Sequence, residues 1–204
     1  MKLVFVALLV GVWLARPAQA ADDAAVLEDL VYCLVCHGYE AQGNPSVGAP
    51  SLIGIEDWYL QTALAAYRSG SRRGYAAAMD MQAAARQLPE SELPRVRALL
   101  SLLPGSVDEG AAVADAATLE RGELAWAQHC ASCHGADGEG NVAMAAPALN
   151  RLNDWYLQAA WQSYVDGGRG ADGGPAAAQM AQLARALPAG VDLAAVVAFL
   201  KRAR

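Results

Sequence analysis

Cysteine is scarce in this 204-residue chain, and none of it is spare. All four cysteines fall inside two short strings, Cys33-Leu34-Val35-Cys36-His37 and Cys130-Ala131-Ser132-Cys133-His134, so no further cysteine remains for a disulfide framework. Histidine is scarcer still. Of three histidines, two close those strings and only His129 stands outside them. Positive charge is the minority: 15 Lys and Arg face 21 Asp and Glu, a formal net charge of -6. Nucleic-acid binding needs clustered basic residues, and this chain has no such cluster. Long apolar runs are missing apart from one, Leu3 to Leu14. A bilayer-spanning helix needs about 20 apolar residues, more than this run supplies. No alternating strand pattern is visible either.

What is present begins with the two strings. Each reads C-x-x-C-H, the pattern of covalent haem attachment. Thiols three positions apart can add to the two vinyl groups of one haem, and the next residue offers an imidazole to its iron. Zinc held by two C-x-x-C pairs is the rival chemistry. It would leave both histidines without a purpose. The expected cofactors are therefore two covalently attached haem c groups, on Cys33 and Cys36 and on Cys130 and Cys133. His37 and His134 are the proximal iron ligands.

The strings belong to a longer repeat. A shift of 97 residues places Cys33, Cys36 and His37 on Cys130, Cys133 and His134. It also places Pro50 on Pro147, the string Asp57-Trp58-Tyr59-Leu60-Gln61 on Asp154-Trp155-Tyr156-Leu157-Gln158, and Tyr67 on Tyr164. Two extra residues enter near Gly170–Gly174, after which Met81 falls on Met180 and Leu88-Pro89 on Leu187-Pro188. Two copies of so long a period mean a duplicated domain and not a solenoid. Each copy is small for a stable core, and a buried haem would supply apolar mass.

The expected organisation is a signal peptide over residues 1–20, a first domain over 21–104, a linker over 105–117 and a second domain over 118–204. Lys2, the apolar run and Ala18-Gln19-Ala20 make the export signal. An uncleaved N-terminal anchor is the alternative. Cleavage after Ala20 would take the net charge to -8. That acidity either steers a basic partner surface or serves solubility.

The fold class reads as all-α. An approach helix from Ala24 enters the first haem string, and Thr118 is the expected N-cap of its equivalent. Asp57 and Asp154 are the expected N-caps of a second helix. Leu60, Leu64 and Tyr67 form one apolar face on it, matched by Leu157, Trp161 and Tyr164. A methionine loop and a final helix should follow in each half, the latter marked by Leu93, Val96 and Leu100 and by Leu193, Val196, Val197 and Leu200.

The second iron ligand must come from elsewhere. His129 directly precedes Cys130, an awkward place from which to reach the far side of a haem, and it reads as an exposed helix residue. Met81 and Met180 are related by the repeat and are the expected distal ligands. Met79 competes for the first iron, two residues away. Met144 faces Val47 in the alignment and reads as a loop or packing residue. His/Met ligation saturates the iron and raises its potential.

Supporting positions leave alternatives open. A loop carbonyl near Pro50 or Pro147 could hold the proximal imidazole, or the loop is merely rigid. Trp58, Tyr59, Trp155 and Tyr156 either approach the haems or form plain core. Arg72, Arg73 and Arg169 either pair with propionates or lie solvated in loops.

These segments together resemble the c4-type di-haem cytochromes, tandem class I cytochrome c domains of bacteria. The carriers are CLVCHG and CASCHG, the GAP-SL and AAP-AL loops, DWYLQ twice, YRSGSRRG and YVDGGRG, and the Met-to-Leu-Pro spacing. The chain departs from the family where Gln82-Ala83 and Ala181-Gln182 follow the two methionines. The resemblance implies a periplasmic electron carrier, free or at the membrane surface. Its donor would be a dehydrogenase or cytochrome complex and its acceptor a terminal oxidase or reductase. It implies two domains facing each other about a pseudo-twofold axis. Cys33, Cys36, His37 and Met81 would serve one haem; Cys130, Cys133, His134 and Met180 the other. Two other roles stand beside a free carrier: a permanent cytochrome subunit of a larger dehydrogenase, and a di-haem peroxidase. The last needs an open iron site, which the residues do not suggest. Intact-mass measurement of the native protein should give residues 21–204 plus two haems; a mass that includes residues 1–20 contradicts the cleaved signal.

Overall fold

The computed structural model describes residues 30–103, 114–187 and 191–202. The expected signal peptide, the start of the approach helix and residues 105–113 of the expected linker lie outside the described residues. Among those described there is no strand, only two isolated bridges, Asn44 to Ala49 and Asn141 to Ala146, at repeat-related positions.

The first half has α1 (30–37), α2 (Asp57–Ser69), α3 (Ala77–Gln87) and α4 (Leu93–Leu100). The second has α5 (Ala116–His129), α6 (Ala131–His134), α7 (Asp154–Val165), α8 (Pro175–Ala186) and α9 (Leu193–Lys201). α1 runs unbroken through the first haem string. In the second half Cys130 leaves helical geometry and separates α5 from α6.

Three expectations are corrected. The N-cap of α5 is Asp115, whose carboxylate accepts from the Thr118 amide, so the helix starts before Thr118. A carboxylate is a better acceptor for the free amides of a first turn than a Thr hydroxyl. Glu56 and Asn153, not Asp57 and Asp154, are the N-caps of α2 and α7; the aspartates are the first helical residues. There they complement the helix dipole. Lastly, the two methionine loops are helices. Met81 lies within α3 and Met180 within α8. Both segments are alanine-rich, and Pro175 sits at the first turn of α8, so intrinsic propensity favours helix.

The predicted apolar faces are largely as expected. Leu60, Leu64 and Tyr67 are buried on α2, as are Leu93, Val96 and Leu100 on α4. Gly70 stops α2 in the left-handed region, φ 77°, with its amide bonded to the Tyr67 carbonyl. On α7 Leu157 is buried, while Trp161 and Tyr164 are half-buried. Each half has its own apolar cluster, and Tyr75 packs against both.

α5 and α9 cross at Gly122. A Cβ there would stand 2.0 Å from the Ala195 carbonyl oxygen and 2.9 Å from the Phe199 Cβ. The absent side chain lets the two backbones touch, and Trp126 packs beside the crossing, 6.4 Å from Phe199 between ring centroids. Gly122→Val should destabilise the protein by about 3 kcal/mol, the upper end of overpacking costs. A thermal melt of the haem-loaded protein reads this; an unchanged melting temperature contradicts the crossing.

Candidate haem sites

Each half is built around one apolar cavity, about 450 Å³ in the first and about 670 Å³ in the second. Cys33, Cys36, His37 and Met81 line the first; Cys130, Cys133, His134 and Met180 line the second. All eight expected site residues therefore come together, four to each cavity. In the first half both thiols and the imidazole come from α1; in the second Cys133 and His134 come from α6 and Cys130 from the break before it; the thioether comes from α3 or α8.

The proximal histidines are fixed identically. His37 Nδ1 lies 2.6 Å from the Pro50 carbonyl oxygen, and His134 Nδ1 lies 2.9 Å from that of Pro147. A carbonyl can only accept, so Nδ1 carries the proton and Nε2 keeps its lone pair. Burial holds both imidazoles below their ordinary pKa, against the opposing pull of the carbonyl bond. A neutral imidazole with one committed nitrogen suits an iron ligand.

The methionine alternatives separate. Met79 is 73% exposed and does not line the cavity, whereas Met81 does. Met144, 45% exposed, sits at the rim of the second cavity, as its counterpart Val47 sits at the rim of the first. His129 ends α5, lines the second cavity and is half-buried rather than exposed.

No disulfide joins the four cysteines. Among the described residues no three His, Cys, Asp or Glu side chains gather to hold a metal ion. Burial, with Cys133 nearby, pushes the Cys130 thiol up to about 11. The donor set instead fits haem c: paired thiols, one oriented imidazole and one thioether around each apolar slot.

The slots share a wall. Tyr59, Ala63, Arg72, Leu152 and Tyr156 line both cavities, and Trp58 of the first half lines the second. Trp155 lines neither and packs against the second core. Reciprocal bonds hold the halves together. The Ser51 amide donates to Asn153 Oδ1 at 2.7 Å, and the Ala148 amide donates to Glu56 Oε2 at 2.7 Å. Ser51 and Ala148 are repeat partners, as are Glu56 and Asn153, so the halves face each other about a pseudo-twofold axis. This pair of bonds was not foreseeable, because a carboxylate in one copy is an amide in the other.

The arginines diverge. Arg72 is 4% exposed, and Arg73 is exposed with a 3.0 Å ion pair to Asp172. Arg169 is half-buried and donates to the Tyr59 hydroxyl at 3.4 Å. Burial raises the Tyr59 phenol, but Arg72 and Arg169 outweigh it and bring it to about 8.

Two apolar slots, each with C-x-x-C-H and a methionine, in an all-α frame, define a c-type cytochrome with two haems. The cytochrome c family profile matches residues 119–204. A thiosulfate dehydrogenase electron acceptor from Thiomonas intermedia (strain K12) is 30% identical over 169 residues, covering 78% of this chain and 70% of that protein. Cytochrome c4 from Pseudomonas stutzeri superposes with a TM-score of 0.66 at 24% identity, over 87% of this chain and 96% of the other. Thiosulfate dehydrogenase (TsdBA) from Marichromatium purpuratum gives 0.64 at 28% identity over 82% of this chain, which spans only 35% of that one. The chain belongs to the c4-type di-haem cytochromes. It is an electron carrier with covalently bound haem c and redox-protein partners, not a catalyst of substrate chemistry.

Proposed function

We infer that this cytochrome is exported and relays electrons from a dehydrogenase to a terminal acceptor, with both irons held by histidine and methionine. The observation that carries the ligation is the recurrence of one arrangement. His37 and Met81 line one cavity from separate helices, and His134 and Met180 repeat this in the other.

Bound in these slots, haem supplies a one-electron ferrous/ferric couple. Cys33 and Cys36, and Cys130 and Cys133, would tether the group to the chain. His37 and His134, oriented by the proline carbonyls, would each offer the iron an imidazole nitrogen. Met81 and Met180 would each offer it a thioether, a ligand pair that would keep substrates off the metal and raise the potential. Leu60 and Leu64 in the first slot, and Leu157 and Val197 in the second, exclude water.

The donor class rests on the named relative, an electron acceptor of thiosulfate dehydrogenase. A permanent place in a dehydrogenase complex is the second reading, favoured by the match to part of a longer dehydrogenase chain. Export rests on the sequence of residues 1–20. Among the described residues no helix is long and apolar enough to cross a membrane.

Spectroelectrochemical titration tests the ligation. Met81→Ala and Met180→Ala should each lower one of the two midpoint potentials and weaken the far-red sulfur-to-iron band of the oxidised protein. Unchanged potentials in both variants would overturn the assignment. Size-exclusion of native material separates the two partner readings: a free chain supports the carrier, and co-elution with a dehydrogenase supports the subunit.

A further inference from the structure

One feature of the shared wall exceeds what holding two domains together requires. Arg72 follows the glycine stop of α2 and turns into the interior, its amide bonded to the Ala66 carbonyl at 3.1 Å. Its repeat partner Arg169 makes the same turn, amide to the Ser163 carbonyl at 3.0 Å. Arg72 Nη2 donates across the interface to the Tyr156 hydroxyl, and Arg169 Nη2 donates back across it to the Tyr59 hydroxyl. Each guanidinium also lies over a tyrosine of its own half: Arg72 at 4.7 Å from the Tyr67 ring centroid, Arg169 at 4.2 Å from that of Tyr164.

The symmetry ends at the cavities. Arg72 lines both of them, and Arg169 lines the second alone. Arg72 is also nine-tenths buried, and its Nε has no hydrogen-bond partner. Among the described residues no ion pair involves Arg72 or Arg169; the nearby groups that favour the charged Arg72 are tyrosines. A buried guanidinium cannot shed its proton and is costly without an anion. An unused donor on such a cation, at the wall of two slots that fit haem, calls for a carboxylate. Haem brings carboxylates as its propionates.

We propose that Arg72 is a single cation shared by the propionates of both haems, whereas Arg169 serves the second haem only. This rests on the haem reading of the two cavities. Arg72 therefore acts on both redox centres at once. A fixed positive charge beside a haem disfavours the ferric form, which carries one more positive charge, and so raises the midpoint potential. Tyr156 and Tyr67 position the guanidinium: one anchors it across the interface, the other stacks beneath it. Electrostatically, the two halves would be joined through one residue of the first.

The test uses the full-length haem-loaded protein at fixed pH and ionic strength. Arg72→Gln should lower both midpoint potentials, and Arg169→Gln should lower one. A single shifted wave, or none, in Arg72→Gln overturns the proposal. Tyr156→Phe removes the anchoring hydroxyl but leaves the charge, and should shift both potentials by less than Arg72→Gln does. If it shifts both as far as Arg72→Gln does, packing rather than charge sets them and the proposal fails. Should Arg72→Gln not load two haems, Arg72→Lys keeps the charge without the planar fork. It should leave the potentials near wild type and shift the propionate carboxylate bands in a redox infrared difference spectrum; unshifted bands overturn the proposal. Two haems per chain and a retained far-red band in these variants keep the His/Met reading standing independently of the result.

Discussion

Everything in this fold answers to one constraint: each half is too small to close a core from its own side chains. The helices stand around a slot instead. In the first half α2 presents Leu60 and Leu64, α3 presents Met81 and α4 presents Val96 and Leu100, and all of them meet the same cavity. The second half repeats this with Leu157, Met180, Val197 and Leu200. A covalently tethered cofactor is then part of the core. The bond from each histidine to a proline carbonyl fixes the imidazole inside it.

The two slots are not independent. They are separated by a wall to which both halves contribute, and that wall holds a charge. Pseudo-symmetric bonds fix it: Ser51 to Asn153, Ala148 to Glu56, and the crossed arginine–tyrosine pairs. Relative motion of the domains would break several buried polar contacts together, which favours one fixed arrangement. A carrier of two electrons gains from that rigidity, since the coupling between its centres depends on geometry staying put.

Much of this was legible in the residues. The C-x-x-C-H strings, their recurrence and the single recurring methionine named all eight residues that the cavities gather. Helix faces marked by Leu60, Leu64 and Tyr67 or by Leu93, Val96 and Leu100 followed from spacing. Three things did not. The alanine-rich methionine segments read as loops because glycines precede them and no apolar stripe marks them, yet propensity makes them helices. The helix caps shifted by one to three residues: Asp115 accepts from the first turn of α5, while the side chains of Glu56 and Asn153 leave their helices uncapped and bond to the other half instead. The burial of Arg72 depends on contacts with Tyr156, 84 residues away, which no local pattern carries.

The central claim is that both irons are closed by a histidine and a methionine. Carbon monoxide added to the fully reduced protein, with haem counted per chain, tests it most directly. The account predicts two haems per polypeptide and an absorption spectrum unchanged by carbon monoxide. Carbon monoxide binding at either reduced centre, or a colourless mature protein, would contradict it.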